Sequence, residues 1–376
     1  MSTKADQHRR HFLTQAGVSV VGAAAFLLAG SPTFFDSGFI PNYRIGRWAQ
    51  QSSGYDKPIK EIAKAAGLEH FGILVGDGRD LALKEFVRTQ ATTGSVPLTW
   101  GHQVSIKNGK PQVDVSYTKW VGNILRALGK PLTINHLVFP GAMKTMDGQD
   151  WFAANDVSKK RETFLPIFDA TIQSMIKLLN GYLRTAGSVV SVVNETYLPP
   201  YRTEDAFGEI LGYGDFTDDS SDDGGYVVRA FNVATQALAR IGLKGVWCGI
   251  SETSGSLGTD RSGRMIRYLI DEKLADIVLL QAHEQTDPDT TTVRMAADLL
   301  DSWGVHWRFS EVSGQPDYIA EVAVIAARSK GCDGLIIWED PQWVGHATII
   351  DENGDYTPGY YAMYDALRAV SLSMES

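Results

Sequence analysis

Short apolar runs alternate with longer amphipathic stretches along most of the chain after residue 70. The short runs are bounded by turn residues and are typical of buried strands, whereas the longer stretches repeat their apolar positions at helical spacing. The predicted strands are Phe71–Val75, Ser95–Leu98, Leu132–Phe139, Val189–Asn194, Gly245–Gly249, Ile277–Gln281, His306–Glu311 and Gly334–Trp338. The predicted helices are Leu81–Arg88, Tyr117–Leu128, Leu165–Thr185, Tyr226–Ile241, Arg261–Glu272, Val293–Trp303, Tyr318–Ser329 and Gly359–Val370.

Eight units of this kind predict a parallel sheet with helices packed outside it. They favour a closed (β/α)8 TIM barrel in a single domain, residues 63–376, because eight is the number that closes such a barrel. An open doubly wound sheet stays possible, since strand order cannot be read from one sequence. Residues 31–62 mix Pro, Gly and aromatic residues and are expected to form an irregular arm. The acidic run at 215–225 is expected to be a surface loop.

The first 30 residues differ from the rest of the chain. A polar start with the pair Arg9-Arg10, then Phe12-Leu13, precedes an apolar run from Ala16 to Gly30. This order resembles a twin-arginine export signal, and it predicts a periplasmic or secreted protein. An N-terminal membrane anchor is the alternative. No further membrane span is predicted.

Composition narrows the possible partners and cofactors. The 376 residues carry a formal net charge of −9 without a basic stripe, so a nucleic-acid partner is not expected. Cys248 and Cys332 match no metal spacing and are expected to be buried apolar residues. The eight histidines show no ligand spacing and no cofactor motif is present, so neither a metal nor a cofactor is predicted.

Chemically useful side chains stand at the ends of several predicted strands. In a (β/α)8 barrel these carboxyl ends meet at one mouth, where catalytic groups lie. Two carboxylates across such a mouth suit glycoside hydrolysis, because one can donate a proton while the other stays ionised. Tryptophan faces can stack on sugars, and amides and imidazoles can bind hydroxyls. The residues in question are Asn194, Glu195, Gln281, His283, Glu311, Trp338 and Trp343.

Four of these strand ends also resemble a known family. The stretch S-V-V-N-E-T at 191–196 is similar to the acid/base motif of glycoside hydrolase family 10, the endo-β-1,4-xylanases. W-R-F-S-E-V-S at 307–313 is similar to its nucleophile motif, Q-A-H at 281–283 to its sixth strand, and G-L-I-I-W-E-D-P-Q-W at 334–343 to its eighth. The resemblance covers roughly residues 70–372.

The resemblance implies a role for each matching residue. Glu195 would be the general acid/base and Glu311 the nucleophile of a retaining mechanism, with carboxyl groups about 5 to 5.5 Å apart. Asn194 would bind the 2-hydroxyl of the sugar in the −1 subsite. His283 would orient Glu311, and Gln281 would support the same subsite.

The chain departs from the family where the substrate sugar is held. The second-strand motif keeps only Trp100, which the resemblance makes a substrate contact, and the fifth strand has no counterpart of the family's Asn-Asp. In the third strand Asn135 replaces a motif histidine and could bind a hydroxyl, while His136 falls at a threonine position. A polysaccharide or oligosaccharide partner is therefore predicted, either xylan or another β-linked glycan such as an exopolysaccharide. The alternative is a catalytically inactive carbohydrate-binding protein on the same barrel.

Overall fold

A computed structural model describes most of the chain after residue 54. The predicted export signal, residues 31–54 of the arm, Trp343 and most of the acidic run lie outside the described residues. The residues that the structure describes are 55–74, 80–98, 100–145, 147–196, 206–214, 216, 225–285, 288–339, 349–351 and 355–375.

Eight parallel strands close into a barrel, which confirms the predicted (β/α)8 TIM fold. Each strand pairs with the next barrel strand along the chain, and the last pairs with the first. The barrel strands are β1 (His70–Leu74), β2 (Thr93–Pro97), β5 (Leu132–Asn135), β6 (Val189–Asn194), β7 (Trp247–Thr253), β8 (Ile277–His283), β9 (Trp307–Ser313) and β10 (Cys332–Trp338).

Helices cover the barrel as the amphipathic pattern predicts. Helix α6, for example, buries Phe164, Phe168, Ile172 and Met175, which recur at helical spacing. The described helices are α1 (Ile59–Ala65), α2 (Asp80–Thr89), α3 (Trp100–Gln103), α4 (Ser116–Ala127), α5 (Trp151–Ala154), α6 (Arg161–Leu179), α7 (Ala206–Leu211), α8 (Gly225–Arg240), α9 (Ser254–Leu257), α10 (Asp260–Asp271), α11 (Thr290–Trp303), α12 (Pro316–Arg328) and α13 (Pro358–Glu375).

Three differences from the predicted elements stand out among the described residues. Helix α1 crosses the expected end of the irregular arm at residue 62, because Ile59 is fully buried and anchors the helix to the core. An antiparallel hairpin, β3 (Val104–Lys107) and β4 (Lys110–Val113), follows the second barrel strand. Its turn is Asn-Gly, the pair that tolerates two left-handed residues. The third barrel strand ends at Asn135, not at Phe139.

Burial inside the barrel explains the near-continuous apolar strands. Val190, Val192 and Val193 of β6 are fully buried, as are Val278 and Leu280 of β8, because a parallel barrel strand has no face toward water. Both cysteines are buried and free, as predicted. Among the residues that the structure describes, no helix is long and apolar enough to cross a membrane.

Candidate active site

The carboxyl ends of barrel strands three to seven bring a set of polar side chains together. Each of these side chains is buried at a depth where an unpaired polar group is costly, so hydrogen bonds among them are expected and found. They come from β5 and the residue after it, β6, β8 and β9, and they are Asn135, His136, Asn194, Gln281, His283 and Glu311.

Glu311 lies at the centre of this set and is 3% exposed. Three N–H groups converge on its Oε1 atom: Asn135 Nδ2 at 3.2 Å, His136 Nε2 at 2.9 Å and Gln281 Nε2 at 3.4 Å. On the other carboxylate oxygen, Oε2, His283 Nε2 lies 3.6 Å away. The carboxylate is thus surrounded by N–H groups from two parts of the barrel, the end of β5 and the end of β8.

These donors keep Glu311 ionised. Burial alone would raise the pKa of Glu311, but the hydrogen bond from His136 and the nearby His283 imidazole outweigh it and lower the pKa to about 2. An ionised carboxylate can only accept hydrogen bonds, so the ring nitrogen of His136 that faces it must carry a proton. The other ring nitrogen, Nδ1, lies 2.7 Å from Ser191 Oγ, which holds the ring in this orientation.

Gln281 connects Glu311 to the strand that carries Asn194. Its Nε2 group donates to Asn194 Oδ1 at 2.8 Å and to Ser251 Oγ at 3.2 Å. The pairing of β8 with β9 is irregular between Leu280 and Gln281, and such bulges re-aim side chains near the rims of barrels. With the Asn194 oxygen occupied, its amide N–H group is the part that can donate to a ligand.

His283 and Trp338 form the side of the site next to the eighth strand. The rings meet edge to face with centroids 4.9 Å apart, and His283 Nδ1 lies 2.8 Å from Ser313 Oγ. Trp338 is only partly buried. The arrangement fixes the imidazole beside Glu311 and leaves aromatic surface at the mouth of the barrel.

Glu195 ends the fourth strand in a different environment from Glu311. It is partly exposed, and its backbone is left-handed, with φ of 47°. Its N–H group donates to Ser251 O on β7 at 2.8 Å, so the turn is tied to the neighbouring strand. One buried carboxylate that is ionised at neutral pH and one partly exposed glutamate therefore stand at the same end of the barrel.

Two residues predicted to contact substrate do not join this set in the described residues. Trp100 is fully buried, stacked on Phe168 at 5.7 Å and packed against Trp151 and Phe207. Its ring is part of the hydrophobic core and has no face toward a sugar, so the expected substrate contact is corrected. Trp343 lies outside the described residues.

His136 was missed as a partner of Glu311. The predicted strand ran on to Phe139, which placed His136 inside the strand instead of after its end. A polar residue directly after a buried four-residue strand was the signal available in the sequence. Glu252, fully buried at the end of β7, was also given no role. Within the described part of the chain, no group of three His, Cys, Asp or Glu residues could hold a metal ion.

Comparison with solved structures relates this barrel to family 10 xylanases. Xylanase 10B from Thermotoga maritima superposes with a TM-score of 0.64 at 14% identity, covering 84% of this chain and 99% of that one. Penicillium canescens endo-1,4-beta-xylanase XylE gives 0.62 at 14% identity, covering 83% and 98%. The family 10 protein from Paenibacillus barcinonensis gives 0.61 at 15%, covering 82% and 97%. The chain therefore has the fold of glycoside hydrolase family 10.

No protein-family profile matches the sequence, and no curated protein matches it. At 14–15% identity the structural likeness concerns the fold, so function has to be argued from the site.

Proposed function

We propose that this protein is a retaining glycoside hydrolase that cleaves a β-linked polysaccharide outside the cytoplasm. The observation that carries the proposal is the state of Glu311, a buried carboxylate that N–H donors from two barrel strands, β5 with the residue after it and β8, hold ionised. A nucleophile of this kind needs to be ionised before the sugar arrives, and the surrounding donors give that state without a metal. The fold shared with family 10 xylanases supports the same reaction class.

In the proposed reaction Glu311 attacks the anomeric carbon while Glu195 donates its proton to the departing glycosidic oxygen. Three donors occupy Oε1, so Oε2 is the oxygen proposed to form the bond to the sugar. Water then attacks the glycosyl–enzyme intermediate, and Glu195 takes up the proton of that water. Asn194, whose oxygen already accepts from Gln281, donates to the 2-hydroxyl of the bound sugar.

The sugar proposed as substrate need not be xylose. Asn135 and His136 turn their N–H groups to Glu311, and Trp100 is part of the core. Asn135 and Trp100 stand at positions where the family resemblance implies contact with the substrate. A site that loses such contacts accepts a different set of sugars, so an exopolysaccharide is proposed beside xylan. Export through the twin-arginine motif is proposed from the sequence alone.

The test is a panel of xylan, β-glucans and bacterial exopolysaccharides, with products analysed for size and for anomeric configuration. A product formed with retained configuration is expected from the wild type. Glu311→Ala should lose activity by several orders of magnitude, and an external nucleophile such as azide should restore turnover of an activated glycoside. Glu272→Ala, a change at an exposed glutamate on the barrel exterior, is the matched control and should leave activity unchanged.

Two results would overturn the proposal. Wild-type turnover by Glu311→Ala would remove the nucleophile assignment. Binding of a glycan without hydrolysis across the whole panel would favour a carbohydrate-binding protein on the same barrel.

A further inference from the structure

Glu252 is a second buried carboxyl group close to the strand end that carries Glu195. It is the sixth residue of β7, the barrel strand adjacent to β6, and its side chain is fully buried. A carboxyl group in this position is costly unless hydrogen bonds compensate it. The hydrogen-bond partners of Glu252 therefore show which part of the molecule it holds in place.

The hydrogen bonds of Glu252 go to the residue directly after Glu195. Its Oε1 atom accepts from the backbone N–H of Thr196 at 2.8 Å and from the Thr196 hydroxyl. Its Oε2 atom accepts from Ser256 Oγ at 2.8 Å, in the short helix that follows β7. Both carboxyl oxygens are therefore used, and one of them fixes the backbone of the fourth-strand turn.

The turn at Glu195 needs such an anchor. Glu195 is one of the few described residues other than glycine with a left-handed backbone, at φ of 47°. A residue of this kind persists there only when its surroundings hold it, since the conformation costs on the order of 1 kcal/mol. On one side of Glu195 its own N–H donates to Ser251 O, and on the other side Thr196 is held by Glu252. Two consecutive residues of β7 thus clamp the two peptide groups that flank the Glu195 side chain.

We infer that Glu252 is a positioning residue, which holds the acid/base group Glu195 in the left-handed turn that aims its carboxyl group at the glycosidic oxygen. This role rests on the proposed function. Glu252 is fully buried behind the turn, so it acts on the reaction only through Thr196 and Glu195. Removing the anchor should allow the turn to relax and Glu195 to leave the line of proton transfer, while Glu311 on β9 keeps its own partners.

The protonation state of Glu252 indicates which substitution would preserve its hydrogen bonds to Thr196 and Ser256. Burial raises the pKa of Glu252 to about 7; hydrogen bonds from Thr196 and Ser256 oppose the rise, and the nearby Glu195 adds to it. A carboxyl group that can be neutral near pH 7 is well imitated by an amide. In Glu252→Gln the amide oxygen can still accept from Thr196, and the amide N–H can donate to Ser256 Oγ.

The test compares Glu252→Ala, Glu252→Gln and the exposed control Glu272→Ala on two substrates. One is the glycan identified as substrate, which needs protonation of a poor leaving group, and the other is an activated aryl glycoside of the same sugar, which does not. For Glu252→Ala we expect kcat/KM on the glycan, which reports the step that forms the glycosyl–enzyme intermediate, to fall roughly 10- to 100-fold, with kcat/KM on the aryl glycoside changed less than about threefold. Glu252→Gln should stay within about threefold of wild type on both.

Equal losses of kcat/KM on both substrates would show that Glu252 does not act through proton donation by Glu195, and an equal loss of kcat/KM on the glycan in the Gln and Ala variants would exclude the hydrogen-bond anchor. Either result overturns the inference. Hydrogen exchange of the peptide containing Glu195 and Thr196 tests the anchor without any turnover. This exchange should accelerate at least tenfold in Glu252→Ala but not in Glu252→Gln, and an unchanged rate in the Ala variant also overturns the inference. If the wild type hydrolyses no glycan but the hydrogen exchange of this peptide changes as expected, the proposed function is refuted. The conclusion that Glu252 holds the turn at Glu195 would then remain valid as a structural role.

Discussion

Replacing Glu311 with glutamine should make the protein less stable, and the loss should depend on pH. The amide keeps the shape of the side chain and an oxygen that can accept from Asn135 and His136, but it removes the negative charge. In the wild type that charge is buried at 3% exposure and is stabilised by the surrounding imidazoles. The variant therefore isolates the contribution of the charge from that of packing.

The magnitude follows from the pKa of Glu311 in the folded protein. That pKa is about 2, against an ordinary value of 4.5, so the difference is about 2.5. Each pKa unit is worth about 1.4 kcal/mol, which makes the contribution of the ionised carboxylate roughly 3 to 4 kcal/mol at pH 7. Because the folded-state pKa is depressed, this contribution is present above about pH 4.5 and is lost as the pH falls toward 2. At pH 3 about 1 kcal/mol should remain.

The measurement is urea unfolding followed by tryptophan fluorescence for wild type, Glu311→Gln and the exposed control Glu272→Gln at several pH values between 7 and 3. The Glu311 variant should be roughly 3 to 4 kcal/mol less stable than wild type at pH 7 and about 1 kcal/mol less stable at pH 3. The control should follow wild type at every pH. A Glu311→Gln variant that is as stable as wild type at pH 7, or a deficit that does not change with pH, would refute the reasoning that the imidazoles hold this carboxylate ionised.

Three further predictions concern the stability of the folded protein and can be checked by chemical denaturation. Trp100→Ala should cost about 3–5 kcal/mol, because the ring is fully buried in the core; a surface tryptophan would cost far less. Gly72→Ala should be destabilising, since the new Cβ would lie 2.6 Å from a backbone oxygen of the neighbouring strand, whereas Gly245→Ala has open space and should be nearly neutral. Asp333→Asn can keep one of the two 2.8 Å hydrogen bonds from the fully buried Arg308 but loses the other and the negative charge, and a loss of about 3–5 kcal/mol is expected; a loss below about 1 kcal/mol would contradict the importance of this pair.

The repeating pattern of the chain was sufficient to predict the barrel. Val189–Asn194 was predicted with the bounds that the structure gives, and the other seven strands were placed within a few residues. This worked because a strand of a closed parallel barrel is buried on both sides, and burial leaves a continuous apolar run in the sequence. The hairpin at residues 104–113 was missed because its strands alternate buried and exposed positions only weakly.

The candidate site was predictable only in part. Gln281 and His283 could be found because they end a clear apolar run, and Glu311 because it ends a predicted strand; the topology brings such ends together. His136 could not be assigned, because the apolar residues after it hid the end of the third strand. Trp100 was wrongly predicted to contact the substrate. A tryptophan near a strand end can face the mouth or the core, and only packing against Phe168 and Phe207 decides between them.

The sequence by itself determined the barrel and the positions where polar side chains end its strands, since both depend on local periodicity and on the fixed direction of parallel strands. Only the tertiary structure decided which of those side chains touch. Glu311 meets Asn135 and His136 across some 175 residues of chain, and Thr196 meets Glu252 across 56. Whether a buried carboxyl group is ionised depends on partners at such distances along the chain, because desolvation and hydrogen bonding act through space.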